Sequence, residues 1–202
     1  MAKQYSDPAT TAVLFVECQN GLLGEDSIMK TIRDAAAPQL VQLSKLAAGA
    51  RKAGAKVAHL TYFPQANNRS TNRRPPLFFR LNDAMDEWHR DHPACQPIPE
   101  IGLEPGDLLL PRNTGFSPTY GTETFKLMRN IGMKTLVFAG ISANVAIPVA
   151  GTEATDEDFD VIFAADAIAG APEEYRQMVI KNTLAFIGRI ANVDDLLESW
   201  GV

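Results

Sequence analysis

The chain has 202 residues, 46% of them hydrophobic and 21% charged, proportions that fit one ordinary globular domain. Nineteen basic against 24 acidic residues give a net charge of −5, which argues against a general nucleic-acid or membrane binder. The two cysteines, Cys18 and Cys95, are too few for a disulfide framework and neither sits in a C-x-x-C pair, so a reducing, cytoplasmic compartment is expected.

The polar opening MAKQYSDPATT lacks the apolar centre of a signal peptide. Ala12–Glu17 is a continuous apolar run that ends in polar residues, the mark of a strand buried on both faces. From Ile32 to Ala53, Leu40, Leu43, Leu46 and Ala47 recur at helical spacing, and Gly54 ends the pattern. Lys56–Thr61 reads as a second strand and Asp107–Leu110 as a third. A helix over Thr122–Asn130, closed by Gly132, leads to a fourth strand at Thr135–Ala139. The 18 uncharged residues Thr135–Thr152 reach the minimum length of a membrane span. They are broken by Gly140, Ser142, Asn144 and Pro148, so a strand, a turn and a helix over about Asn144–Glu157 are expected. Asp160–Ala164 is a fifth strand. Pro172 opens a helix to about Gly188, with Glu173 and Glu174 in its first turn. A short last strand follows at Arg189–Asn192.

Apolar strands alternating with amphipathic helices predict a single α/β domain over 1–202, a three-layer α-β-α sandwich around a mainly parallel sheet. The site of such a fold lies beyond the carboxyl ends of its strands. One stretch breaks the rhythm. Residues 63–104 show no clean periodicity, and with Pro105 they hold seven of the 13 prolines. Arg69, Arg73, Arg74 and Arg80 gather there too. A segment this long is expected over the site edge or at a subunit interface.

Three strand ends carry candidate chemistry. The first reads Glu17-Cys18-Gln19-Asn20, the third Leu110-Pro111-Arg112, and the fourth Gly140-Ile141-Ser142-Ala143-Asn144-Val145-Ala146. Together with Asp160-Val-Ile-Phe-Ala-Ala-Asp166-Ala, in this order, they resemble the isochorismatase-like, or cysteine hydrolase, superfamily. The resemblance runs from Thr11 to about Asp195. It implies a six-stranded sheet of order 3-2-1-4-5-6, a non-proline cis bond at Ile141–Ser142, and relatives that commonly pair through their helices.

It also implies a divergent site. The family's Asp-x-Gln stands here as Glu17-Cys18-Gln19, its Lys as Arg112, and the Cys that ends its Gly-(Val/Ile)-x-Thr-x-x-Cys motif as Ala146. All three triad positions differ. A methyl group has no lone pair, so Ala146 cannot form an acyl-enzyme. Arg, unlike Lys, cannot give up its charge. Period-two alternation aims Cys18 at the face opposite Glu17, and nothing marks Cys95 as activated. A cysteine-nucleophile amidase is therefore not expected.

The resemblance leaves another route open. Isochorismatases within the superfamily cleave a vinyl ether by acid–base catalysis, the Asp protonating the alkene, and need no cysteine. Glu17 keeps a carboxyl at that place. Arg112 could hold an anion bidentately, Arg73 and Arg74 could draw it in, and Gln19, Asn20, Ser142 and Asn144 could add hydrogen bonds. A small anionic substrate and a homo-oligomer, dimer or tetramer, are the expected partners. Each residue also has a plainer reading. Glu17 and Arg112 could be a structural ion pair, the arginines a solvated or subunit-facing surface, and Ser142 and Asn144 turn and cap residues.

No cofactor or metal is expected. No glycine-rich phosphate loop is present. The nicotinamidase branch carries Asp-x-His after strand two, where this chain has Thr61-Tyr62-Phe63-Pro64. His59 reads as a core residue, and His89 and His92 lack the partners a four-ligand zinc site needs. Two hypotheses remain: a hydrolase acting without a covalent step through Glu17, and a catalytically silent relative that keeps the scaffold for binding.

Overall fold

The structure, a computed structural model, describes residues 5–65 and 70–202. Six strands form one sheet of order β3-β2-β1-β4-β5-β6, with every neighbouring pair parallel. They are β1 (Thr11–Val16), β2 (Lys56–Leu60), β3 (Leu108–Leu109), β4 (Thr135–Ile141), β5 (Asp160–Ala169) and β6 (Arg189–Ala191). Central strands β1 and β4 are buried at every position, which is why their sequences run apolar without alternation. Odd-numbered Val13, Phe15, Val137 and Ala139 pack in one layer, and even-numbered Ala12, Leu14, Leu136 and Phe138 in the other.

The first layer is covered by α1 (Asn20–Leu23), α2 (Lys30–Ala36), α3 (Leu40–Ala53) and α9 (Val193–Trp200). The second is covered by α5 (Thr124–Asn130), α6 (Ala146–Asp156), α7 (Glu173–Val179) and the short α8 (Ala185–Ile187). Strand order reverses between β1 and β4, and a crevice opens there at the carboxyl edge. Among the described residues no helix is long and apolar enough to cross a membrane. Thr135–Thr152 forms β4, the following turn and the first part of α6.

Several bounds differ from the sequence pattern. The helix expected over 32–53 is two helices joined by a tight turn at Ala37–Gln39, because Pro38 has no N–H to continue the ladder. β5 runs five residues past Ala164. The helix after Pro172 is interrupted by a π-helical turn at Ile180–Leu184. Helix α9 has no counterpart among the predicted elements. Its signals were present: Asp194 and Asp195 in the first turn, Leu196, Leu197 and Trp200 on one face, and Gly201 just after the end. Residues 63–104 hold a helix, α4 (Pro76–Leu81), and two short 3₁₀ turns at Asp83–Met85 and Pro93–Cys95. Pro76 and Pro93 each stand in the first turn, where a missing N–H does little harm.

His59, on β2, is a core residue. It is 1% exposed, lies against Phe15 with ring centroids 5.9 Å apart, and places Nε2 3.1 Å from Asp107 Oδ2. Its Nδ1 has no partner among the described residues, so a neutral ring donating from Nε2 fits. Burial lowers the imidazole pKa more than Asp107 raises it. Burial alone would raise the Asp107 carboxyl, but bonds from Arg51, the Glu104 amide and His59 hold it below its ordinary value.

A pH effect follows. The unfolded imidazole takes its proton near 6.5, the folded one only at lower pH. Between those values the unfolded chain binds more protons, so stability is full above about pH 6.5 and declines as pH falls through it. Urea midpoints at about pH 7.5 and about pH 5 should show this loss, and His59→Gln should lessen it. Equal midpoints in the parent protein would refute the assignment.

Candidate active site

β1 ends in a turn that breaks its own pattern. Glu17 has φ 54, and its amide donates to Leu60 O at 2.8 Å. A left-handed backbone costs a non-glycine residue about 1–2 kcal/mol, and such outliers gather at functional sites. Here the turn brings the carboxyl to the crevice. It also resets the alternation, which corrects the expectation for Cys18. The thiol packs in the layer of Val13 and Phe15, with Sγ 3.5 Å from Val16 O. Burial, aided by the Glu17 charge, pushes its pKa well up. The Cys95 thiol is pushed up to about 12, also by burial. Neither is an activated nucleophile.

Arg112 is fixed by backbone pairing that continues past β2 and β3. It pairs with Tyr62 in parallel, its amide donates to Thr61 O at 2.9 Å, and its carbonyl accepts from the Phe63 amide at 3.2 Å. The guanidinium is buried over the Tyr62 ring, 4.9 Å from its centroid. Nη2 donates to Glu17 Oε1 and to Phe116 O, and Nε donates to Gly115 O. The pair is held through one carboxylate oxygen. Glu17 Oε2 takes no hydrogen bond among the described residues.

The third strand end is β4. The Ile141–Ser142 bond is cis. Ser142 O accepts from the amides of Val145 at 3.3 Å and Ile147 at 3.1 Å. Ala146 begins α6 with its methyl at the crevice. In the first turn the Ile147 and Val149 amides have acceptors, and Pro148 has no amide. The Ala146 N–H has no backbone acceptor among the described residues. Val145 precedes the helix without a side-chain cap. Neither Ser142 nor Asn144 therefore caps α6. Asn144 instead clamps the turn: its Oδ1 accepts from the Ala171 amide at 3.1 Å and its Nδ2 donates to Ala171 O at 2.6 Å.

Glu17, Arg112, Ser142, Asn144 and Ala146 all line one cavity of about 230 Å³. Gln19, Asn20, Arg73 and Arg74 do not. Gln19 is fully buried as a brace, accepting from the Tyr62 amide at 2.6 Å and donating to Tyr62 O and Ala94 O at 2.8 and 3.1 Å. Asn20 donates to Pro93 O at 3.1 Å. Arg73 and Arg74 point to solvent, because the apolar residues after them take the inward positions. Arg69 lies outside the described residues. Further walls escaped the sequence reading: Leu22, Met29, Ile32 and Phe116, and from residues 76–85 Leu77, Phe78, Leu81 and Met85. The cue was Pro75-Pro76 followed by apolar positions 78, 81 and 85 at helical spacing. Among the described residues, no group of three or more His, Cys, Asp or Glu could hold a metal ion.

The sequence matches the isochorismatase domain family over residues 11–195. The chain belongs to the isochorismatase family. Among curated relatives, the ureidoacrylate amidohydrolase of Pantoea ananatis is 26% identical over 220 residues, spanning 96% of this chain and 83% of the relative. An uncharacterized isochorismatase family protein of Bacillus subtilis is 26% identical over half of this chain. The cysteine hydrolase of Pseudomonas syringae pv. phaseolicola superposes with a TM-score of 0.83 at 17% identity, covering 99% of this chain and 96% of that one. This isochorismatase-family fold thus has its sheet order and its crevice where the strand ends placed them.

Proposed function

We propose that this protein is a hydrolase of its family that works without a covalent step, with Glu17 as the acid–base group. The observation that carries the reading is the half-engaged carboxyl. Arg112 orients one oxygen, and the other takes no hydrogen bond among the described residues, on a side chain that lines a mostly apolar cavity. A purely structural pair would have both oxygens saturated and no space in front. In the proposed step Glu17 takes a proton from water as the water oxygen bonds to the electrophilic carbon. It returns that proton to the leaving atom as the old bond breaks. The Ala146 amide, at the positive end of α6, favours the oxygen on which negative charge develops.

The relatives named ureidoacrylate amidohydrolases support an amide or a similar carbonyl compound as substrate class. Their printed activity does not transfer the thiol route, because Ala146 has none. The anionic preference expected from the arginines now rests on the α6 terminus and on Arg112 Nη1, which is buried without a partner among the described residues. The Nε and Nη2 of Arg112 are bonded to Glu17 and to two carbonyls, and Arg73 and Arg74 stand outside the cavity.

Turnover of a panel of small amides, ureas and vinyl ethers tests the proposal. Glu17→Gln should lower the rate at least about 100-fold, the usual size of a general acid–base contribution. A Glu17→Gln variant that turns over the same substrate at the parent rate would end it. Ala146 favours a second reading, a silent relative that only binds. It predicts ligands that stabilise the fold while no member of the panel is hydrolysed. Self-association belongs to the same proposal, since Phe79 of the long segment is 75% exposed; a monomer by light scattering would remove it.

A further inference from the structure

We infer that the cavity selects a molecule with a compact apolar body and a single polar head, and that residues 76–85 make that selection. The inference uses the proposed function only for the fate of the head. The preference for the body is a property of the walls.

The polar atoms around the cavity are few, and most are engaged. The Tyr62 hydroxyl is 3.3 Å from Thr71 Oγ1. Both amide atoms of Asn144 are held by Ala171. Arg112 serves Glu17, Gly115 and Phe116 through Nε and Nη2. The groups left to meet a ligand, all at the strand ends, are Glu17 Oε2, the Ser142 hydroxyl, the Ala146 amide and Arg112 Nη1, which is buried without a partner among the described residues. One head such as a carboxamide satisfies them, its N–H donating to Glu17 and its carbonyl accepting from Ser142, Ala146 or Arg112 Nη1.

The lining from residues 76–85 offers no side-chain partner for a second polar group. α4 and the turn after it present Leu77, Phe78, Leu81 and Met85. Phe78 is stacked on Phe116 at 4.7 Å between centroids and lies 5.7 Å from the Tyr62 ring. This fixes that wall, the roof, to the chain following both β2 and β3. Met29 and Ile32 add further apolar lining, one from the residue before α2 and one from within it. A buried polar group without a partner weakens binding by about tenfold or more. Each buried methylene strengthens it roughly fourfold. A volume of about 230 Å³ is below the roughly 300–1,000 Å³ of drug-sized sites, so the body is small.

The test is a thermal-shift series on the full chain with acetamide, isovaleramide, benzamide and malonamide. A ligand of the folded state raises the melting temperature by mass action. Benzamide and isovaleramide should give shifts of about 2 °C or more, with acetamide and malonamide near zero. Phe78→Ala should flatten that ranking. Should Phe78→Ala fail to fold, Leu77→Gln, at a position already 37% exposed, makes the same change at the roof and should weaken benzamide about tenfold. Malonamide matching benzamide, no amide binding at all, or a ranking untouched by the roof variants would overturn the inference. Glu17→Gln separates it from the catalytic proposal. If the ranking holds while hydrolysis is never seen, the chemistry fails and the selection stands. If hydrolysis depends on Glu17 while the ranking is absent, the reverse is true.

Discussion

Gly140→Ala is expected to destabilise the protein by about 4 kcal/mol, the sum of a left-handed backbone and an unrelieved contact. Gly140 has φ 107, and a Cβ there would lie 2.3 Å from Val16 O, 2.9 Å from Val16 N and 2.6 Å from Cys18 Sγ. Two of those atoms are backbone of the neighbouring central strand, so nothing can yield cheaply. Any relief would push β4 from β1 at the point where Glu17 and the 141–146 turn begin, and the cavity would lose its shape. Gly54→Ala supplies the comparison. Gly54 has φ 82 at the end of α3 but open space around it, so its substitution should cost only about 1 kcal/mol. Denaturant unfolding of both variants measures the difference. A Gly140→Ala protein no weaker than Gly54→Ala would show that β1 and β4 are not so closely apposed.

The second large effect is expected at Arg112. Arg112→Met should cost about 3 kcal/mol, because it strands the Glu17 carboxylate and leaves the Gly115 and Phe116 carbonyls without their donor. Most of that penalty comes from the charge left behind. The double variant Glu17→Gln with Arg112→Met should therefore recover a substantial part of the loss, a coupling of at least about 1 kcal/mol in a double-mutant cycle. Arg112→Lys should fall between, since one ammonium cannot reproduce three donations from a planar fork. Strict additivity of the two substitutions would mean the pair contributes nothing and that Glu17 is held by its backbone turn alone.

Both predictions concern features of different legibility. The convergence of Glu17, Arg112 and Ala146 was readable, because each ends an apolar strand run and a parallel sheet gathers such ends on one rim. His59 was readable as core for the same reason, lying inside a strand. The roof was not. Phe78 and Met85 sit among prolines and arginines, and the local pattern made the charged residues conspicuous while the apolar ones lined the cavity. Gln19 and Asn20 illustrate the converse. Their polar side chains looked available, yet Gln19 is consumed by Tyr62 and Ala94 backbone groups forty or more residues away. A side chain's free valences depend on distant chain, which no local window contains.

By itself, then, the order of residues determined the layered parallel architecture and the absence of a thiol at position 146. Periodicity is a local property, and a missing atom is missing in any conformation. The folded chain alone decided three other matters: that Glu17 keeps one oxygen without a hydrogen bond among the described residues, that Arg112 turns Nη2 to Glu17 while its buried Nη1 stays unpartnered there, and that apolar side chains of 76–85 rather than Arg73 and Arg74 line the cavity. Each depends on which surfaces meet across long sequence separations, and on a single left-handed residue that redirected the end of β1. Those are outcomes of packing, where the apolar side chains of 76–85 gain more by covering the crevice than the neighbouring arginines would by leaving water.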